Sequence, residues 1–206
     1  MKLSTRTTNL PPHVTQHSSL IHGMRVASRM GAWLLSAVLA AAGSGLPVNA
    51  QLHDERAIKV AYVFNLTKYV EWPHDGKQLV VGFVGEGPMG EALEKMLNGK
   101  MSGTMAIRVI NSPGDNVLEQ CDILYVVYSS PTNVRAALDR VRGKSILTVG
   151  DTDSFAKAGG MVGLVRSGEQ VQLQVNLDAV QEAHLRISSR VLDLATIVHA
   201  TAKARN

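Results

Sequence analysis

The chain lacks a second cysteine: Cys121 stands alone among 206 residues, so no intrachain disulfide can form and stability must come from an ordinary core. It also lacks acidic residues over its first fifty positions, which hold Lys2, Arg6, Arg25 and Arg29 and no Asp or Glu. Four of the 21 basic residues lie there, which leaves 17 basic against 17 acidic in the remainder. The sequence pI of about 9.3 is therefore partly a property of the leader. A balanced remainder argues against a nucleic-acid-binding role, because phosphate binding needs a net basic surface. Arg140, Arg142 and Lys144 form the one dense basic cluster, and such a run reads as a solvated face. Paired metal ligands are missing too. Of His53, His74, His184 and His199, none pairs with another at ligand spacing, so neither a metal nor a metal-dependent reaction is expected.

What is present begins with an export signal. Arg25 and Arg29 supply a positive start, and Gly31 to Ala42 is a short apolar stretch carrying Trp33, Leu34, Leu35, Val38 and Leu39. About a dozen residues are too few for a bilayer crossing, which takes roughly twenty. Gly43, Gly45 and Pro47 break the stretch, and Val48-Asn49-Ala50 resembles a cleavage site, placing the cut after Ala50 and the product in the periplasm. Met24, directly before the arginine-led part, is a candidate start codon. The alternative is an uncleaved single-pass anchor. Residues 51–206 then form one domain, and no later run is apolar and long enough to span a membrane.

The remainder alternates between helical and strand patterns. Residues 54–72 read as a helix capped by Asp54 and ended by Trp72-Pro73; its apolar residues surround it, so burial by the sheet or by a second subunit is expected. Leu79–Val84, Ala106–Ile110, Asp122–Tyr128 and Ser145–Val149 read as strands; Gly90–Leu97 and Val134–Val141 read as helices. Met161–Val165 and Val171–Leu177, joined through Ser167-Gly168-Glu169, read as an antiparallel hairpin. A closing helix is expected from about Ser189, with Val191, Ala195, Val198 and Ala202 along one stripe and Leu192, Leu194 and Ile197 beside it. The fold expected is α/β: a mixed, mostly parallel sheet with helices on both faces and a C-terminal antiparallel hairpin.

Several motifs invite a chemical reading. Gly85-Glu86-Gly87-Pro88-Met89-Gly90 matches the dinucleotide fingerprint after a strand and before a helix. The acidic ribose ligand about twenty residues on is missing, since Arg108-Val109-Ile110-Asn111 has none, so no cofactor is expected. A glycine-rich turn remains, with Gly85, Gly87, Ser129 and Ser130 as candidates for holding a small polar ligand at strand ends. Neither serine has a G-x-S-x-G context; both read as turn or cap residues before Pro131, and no catalytic residue is assigned. Asp151 and Asp153 read as a loop and helix cap rather than a carboxylate pair. Cys121 reads as a thiol at the edge of the core. Gly159-Gly160 suggests backbone that needs positive φ or close approach, Asn176 a cap or a solvent-facing alternate position, and Trp72 a core plug or an interface anchor.

Taken in order, these segments resemble the YfiR family of periplasmic proteins. The likeness runs through Ile58-Lys59-Val60-Ala61-Tyr62-Val63-Phe64-Asn65-Leu66-Thr67-Lys68-Tyr69-Val70-Glu71-Trp72-Pro73 and Gln120-Cys121-Asp122-Ile123-Leu124-Tyr125-Val126. It continues through Ile146-Leu147-Thr148-Val149-Gly150-Asp151, Phe155-Ala156-Lys157-Ala158-Gly159-Gly160-Met161-Val162, Val175-Asn176-Leu177, and Ile187-Ser188-Ser189-Arg190-Val191-Leu192-Asp193-Leu194-Ala195. The resemblance implies a non-enzymatic repressor that binds the periplasmic domain of an inner-membrane diguanylate cyclase, lowering cyclic-di-GMP synthesis and biofilm formation. It also implies a homodimer and an outer-membrane lipoprotein that can sequester the repressor. Some relatives carry cysteine pairs, so redox control through an internal disulfide does not carry over. The interface candidates are Asn65, Tyr69, Glu71 and Trp72 on the first helix, with Pro73, Gly159, Gly160 and Asn176 in structural roles. A periplasmic small-molecule-binding protein is the alternative function.

Overall fold

The computed structural model describes residues 48–73, 76–112 and 118–200, with side chains from Glu55 onward. They fall in one compact unit, Leu46–Asn206. The export signal, the candidate start at Met24, His74 and Ala202 lie outside the described residues, as do the side chains around the cleavage site.

In chain order the elements are α1 (Val48–Tyr69), β1 (Val70–Glu71), β2 (Gln78–Gly85), α2 (Met89–Leu97), β3 (Met101–Ser102), β4 (Met105–Asn111) and β5 (Ile123–Val127). There follow α3 (Pro131–Val141), β6 (Leu147–Gly150), β7 (Val162–Ser167), β8 (Gln170–Asn176), α4 (Leu177–Glu182), β9 (Arg186–Ile187), α5 (Ser189–Leu192) and β10 (Thr196–Val198). Eight strands form one sheet in the order β10-β8-β7-β6-β5-β2-β4-β3. Strands β4, β2, β5, β6 and β7 run parallel; β7–β8 is the antiparallel hairpin, and β3 returns antiparallel on β4.

The central strands are apolar on successive residues because both faces are covered, as parallel sheets require. Leu79, Val81, Phe83, Ile123, Tyr125, Leu147 and Val149 point to the face covered by α1 and α2, packing with Val60, Val63, Leu66, Leu93 and Leu97. Val84, Leu124 and Val126 point to the other face, against Val134, Ala137, Leu138 and Val141 of α3. The period of two along each strand thus sorts one sequence run into two cores.

Three expectations are corrected. The first helix starts at Val48, so Asp54 lies inside it rather than at its cap, and it ends at Tyr69, before Trp72-Pro73. Val70 and Glu71 instead pair antiparallel with Ile187 and Arg186 of β9. The closing helix is reduced to the four residues of α5; the chain then extends as β10 and pairs parallel with β8, Thr196–Val198 against Gln174–Asn176. The reason is local and global together. Thr196, Ile197 and Val198 are β-branched, and the hairpin's outer strand otherwise leaves a row of unpaired backbone groups. The second hairpin strand stops at Asn176, one residue short of expectation, because that residue caps α4.

Candidate functional site

The surface of α1 is where function is best sought. A helix lying on one domain normally turns polar groups outward. Here Val60, Val63 and Leu66 are buried against the sheet, yet Ile58 and Ala61 stand exposed, and Tyr62 and Tyr69 are half-buried. Asn65 is exposed in the same stretch. The short C-terminal helix packs beside α1 and completes a groove of about 280 Å³. Its walls are Tyr62, Asn65, Leu66 and Tyr69 from α1, Leu173 from β8, and Arg190, Val191 and Leu194. Leu194 is 78 % exposed, an unusual place to leave a leucine, and Arg190 is the groove's one charged lining residue. Tyr62 is held in place by donating from Oη to the Val171 carbonyl at 3.4 Å.

Of the interface candidates, Asn65 and Tyr69 line this groove; Glu71 and Trp72 do not. Glu71 is exposed in β1. Trp72 is half-buried and donates from Nε1 to the Asp122 carbonyl at 3.1 Å, which fastens the end of the α1 segment to the start of β5. Asp122 also accepts the Val80 N–H on its carboxylate at 2.7 Å, so one residue joins β2, β5 and the tryptophan. Leu194 was expected beside the stripe of a closing helix, and Arg190 was not among the interface candidates; both line the groove. Their signal was a lone leucine after Asp193, hidden by a helical spacing that placed it beside a buried stripe.

The ligand candidates meet at one strand end. The Gly85 and Ser129 segments adjoin, with the Glu86 N–H donated to the Val127 carbonyl at 2.8 Å and the Ser129 hydroxyl to the Glu86 carboxylate at 3.1 Å. Gly85 has φ 134, and a Cβ there would run into the Val127 carbonyl at 1.8 Å, so this glycine serves strand contact. Gly87 has φ 87 with open space around it, and Ser130 precedes α3 without a side-chain cap bond. The groove on α1 and the two further cavities named below include none of these four residues.

A second polar feature ties α1 to the sheet. Lys59 is buried and bridges Glu55 at 2.7 Å and Asp151 at 3.1 Å; Arg166 reaches the same Glu55 at 3.4 Å. Asp151 is thus an ion-pair partner beyond the end of β6, and residues 153–159 form turns rather than the helix an Asp cap would start. The Tyr125 hydroxyl is buried with no hydrogen-bond partner. Burial raises its pKa well above the usual 10, and the charges of Asp151 and Glu55 add to the rise. For Lys59, burial pushes the ammonium down, but the hydrogen bonds and charges of Glu55 and Asp151 outweigh it and raise the pKa above 10.5. A group with a raised folded pKa contributes stability below its unfolded pKa and loses it as pH climbs through the folded one. Lys59→Met should therefore cost about 2 kcal/mol at neutral pH, less than for fully buried pairs because the carboxylates remain partly exposed. The gap to the parent should close above about pH 10.5; denaturant titrations of both proteins across the alkaline range measure it.

Two further cavities have mixed polar and apolar walls. One of about 360 Å³ lies between α3 and α4 and is rimmed by Arg135, Asp139, Arg142, Asp178 and Glu182, with Arg142 paired to Asp139 at 2.7 Å. The other, about 600 Å³ and open, includes Cys121 and Lys144. Burial pushes the Cys121 thiol up to about 11, with the Asp122 charge adding, so little thiolate exists near neutrality. Among the described residues no group of three metal-ligating side chains occurs and no helix is long and apolar enough to cross a membrane.

The described residues thus form a two-faced α/β domain with a largely apolar and aromatic groove between α1 and the C-terminal segment. The chain belongs to the YfiR/HmsC-like family, whose model matches residues 56–196. That family is one of periplasmic, non-catalytic regulators associated with diguanylate cyclases. A search of curated proteins finds no match. Among solved structures, the chain is similar to the ABC domain in complex with L-Trp from Streptococcus pneumonia, at 10 % identity and a TM-score of 0.44. That alignment covers 59 % of this chain and spans 55 % of that one.

Proposed function

We propose that this chain is a periplasmic repressor that binds the periplasmic domain of an inner-membrane diguanylate cyclase through the groove between α1 and α5. The observation that carries this reading is Leu194, 78 % exposed just after α5 and lining the groove with the half-buried Tyr62 and Tyr69 of α1. Membership of the family supplies the class of partner. Repression follows if the groove binds the inactive state of the cyclase more tightly than the active one; equal affinity would shift nothing. An outer-membrane lipoprotein that covers the same groove would release the enzyme, and self-association of two copies through α1 would compete with both.

Leu194→Asp tests the docking face without touching the core. It should weaken binding to the isolated periplasmic domain of the cyclase about thirtyfold or more, the loss expected for an interface hot spot. Cyclic-di-GMP in cells should rise to the level of a deletion strain, and only when the cyclase is present. Unchanged calorimetric affinity together with full repression by the variant would move the docking face elsewhere. An unchanged nucleotide level in the deletion strain itself would remove the repressor reading.

A further inference from the structure

We propose that the sheet edge formed by β3 and the C-terminal half of α1 touches an anionic lipid surface. The group consists of Phe64, Lys68, Lys100 and Met101. Lys68 Nζ stands 4.1 Å from the centroid of the Phe64 ring and Lys100 Nζ 5.7 Å from it. One aromatic ring thus gathers two ammonium groups from different elements. Both lysines are exposed, and Met101 beside Lys100 is 53 % exposed. The backbone beneath is rigid: Thr67 on α1 and Ser102 on β3 are both buried and hydrogen-bond each other at 2.8 Å.

The two chain segments that carry this group are basic. From Ala57 to Val70 the chain holds Lys59 and Lys68 and no acid; from Lys95 to Gly114 it holds Lys95, Lys100 and Arg108 and no acid. The nearest acid of α2 in sequence, Glu94, has its carboxylate engaged by Asn111 at 2.7 Å. The complementary occupant is therefore anionic. Its form follows from the apolar member. Met101 sits on a two-residue strand at the outer edge of the sheet, next to a turn, so it projects rather than lines a groove. A projecting, flexible apolar side chain flanked by lysines, whose stems lie along apolar surface while their ends seek phosphate, suits a planar lipid interface better than an acidic peptide. This contact stands independently of the cyclase reading and would hold a soluble regulator near membrane-anchored targets.

Two lysines and one methionine make a weak, reversible and salt-sensitive contact. The test is co-sedimentation of the mature chain with vesicles containing phosphatidylglycerol, against vesicles of phosphatidylcholine alone. The expected result is partition onto the anionic vesicles at low salt, loss of it at high salt, and none onto the neutral ones. The Lys68→Gln, Lys100→Gln double variant should partition about thirtyfold less. Met101→Ser, at an exposed position, should weaken partition with an unchanged melting temperature. Absence of sedimentation with anionic vesicles would overturn the proposal. So would a double variant that partitions like the parent, including the case in which it has lost only an acidic protein partner.

Discussion

Phe155→Ala is expected to lower the unfolding free energy by about 4 kcal/mol, read as a shift in the urea midpoint at constant slope. The ring is completely buried. It is also a ring for which the backbone has been cleared on two sides. A Cβ on Gly150 would stand 2.4 Å from Phe155 Cδ2, and one on Gly160 would stand 2.2 Å from Cε1. The connection from β6 to β7 wraps around this side chain, with the Gly160 and Ala158 N–H groups both donated to the Phe155 carbonyl. Truncation leaves a cavity lined by two glycines that have nothing to fill it with. The converse substitution carries the same information: Gly160→Ala should destabilise although it adds a methyl group, because an aromatic ring already occupies the space.

Asn176→Ala should cost about 3 kcal/mol, the second largest effect. Asn176 is fully buried. Its Nδ2 donates to the Ala156 carbonyl at 2.9 Å, and its Oδ1 accepts the Ala179 N–H at 3.2 Å as the cap of α4. Alanine would orphan a buried acceptor and a helix-end donor at once, and each such loss is worth about 1–3 kcal/mol. Aspartate would keep the cap but bury a carboxylate with one oxygen against the Ala156 carbonyl, so Asn176→Asp should cost at least as much as alanine at neutral pH. Because Ala156 adjoins Phe155, the double variant Phe155→Ala, Asn176→Ala should cost less than the two effects combined. Equilibrium unfolding of the four-member set measures the coupling, and strict additivity would show that the loop is not one unit.

The sheet was legible because its signals are local. Continuous apolar runs bounded by turn residues located β2, β5 and β6, and Gly168 between two alternating segments located the hairpin. The C-terminus was not legible. Val191, Ala195 and Val198 share a helical spacing, but the edge of β8 is a feature of the assembled sheet, and no window of sequence shows it. The short pairing of β1 with β9 failed for the same reason: two residues carry no period. For the candidate site, the excess of apolar surface on α1 was readable from composition around the helix. Its partners across the groove, Leu173, Arg190 and Leu194, come together only through the fold. The contact of Lys59 with Asp151, 92 residues apart, left no trace in either segment.

Both margins of the large sheet are stubs, two residues of β3 on one side and three of β10 on the other. β3 covers only Met105 and Ala106 of β4, and β10 only Gln174–Asn176 of β8, so a neighbouring chain seeking to extend the ladder meets a stepped margin with only short runs to pair on. Short, stepped margins of this kind disfavour the stacking of one copy's sheet on the next into fibrils.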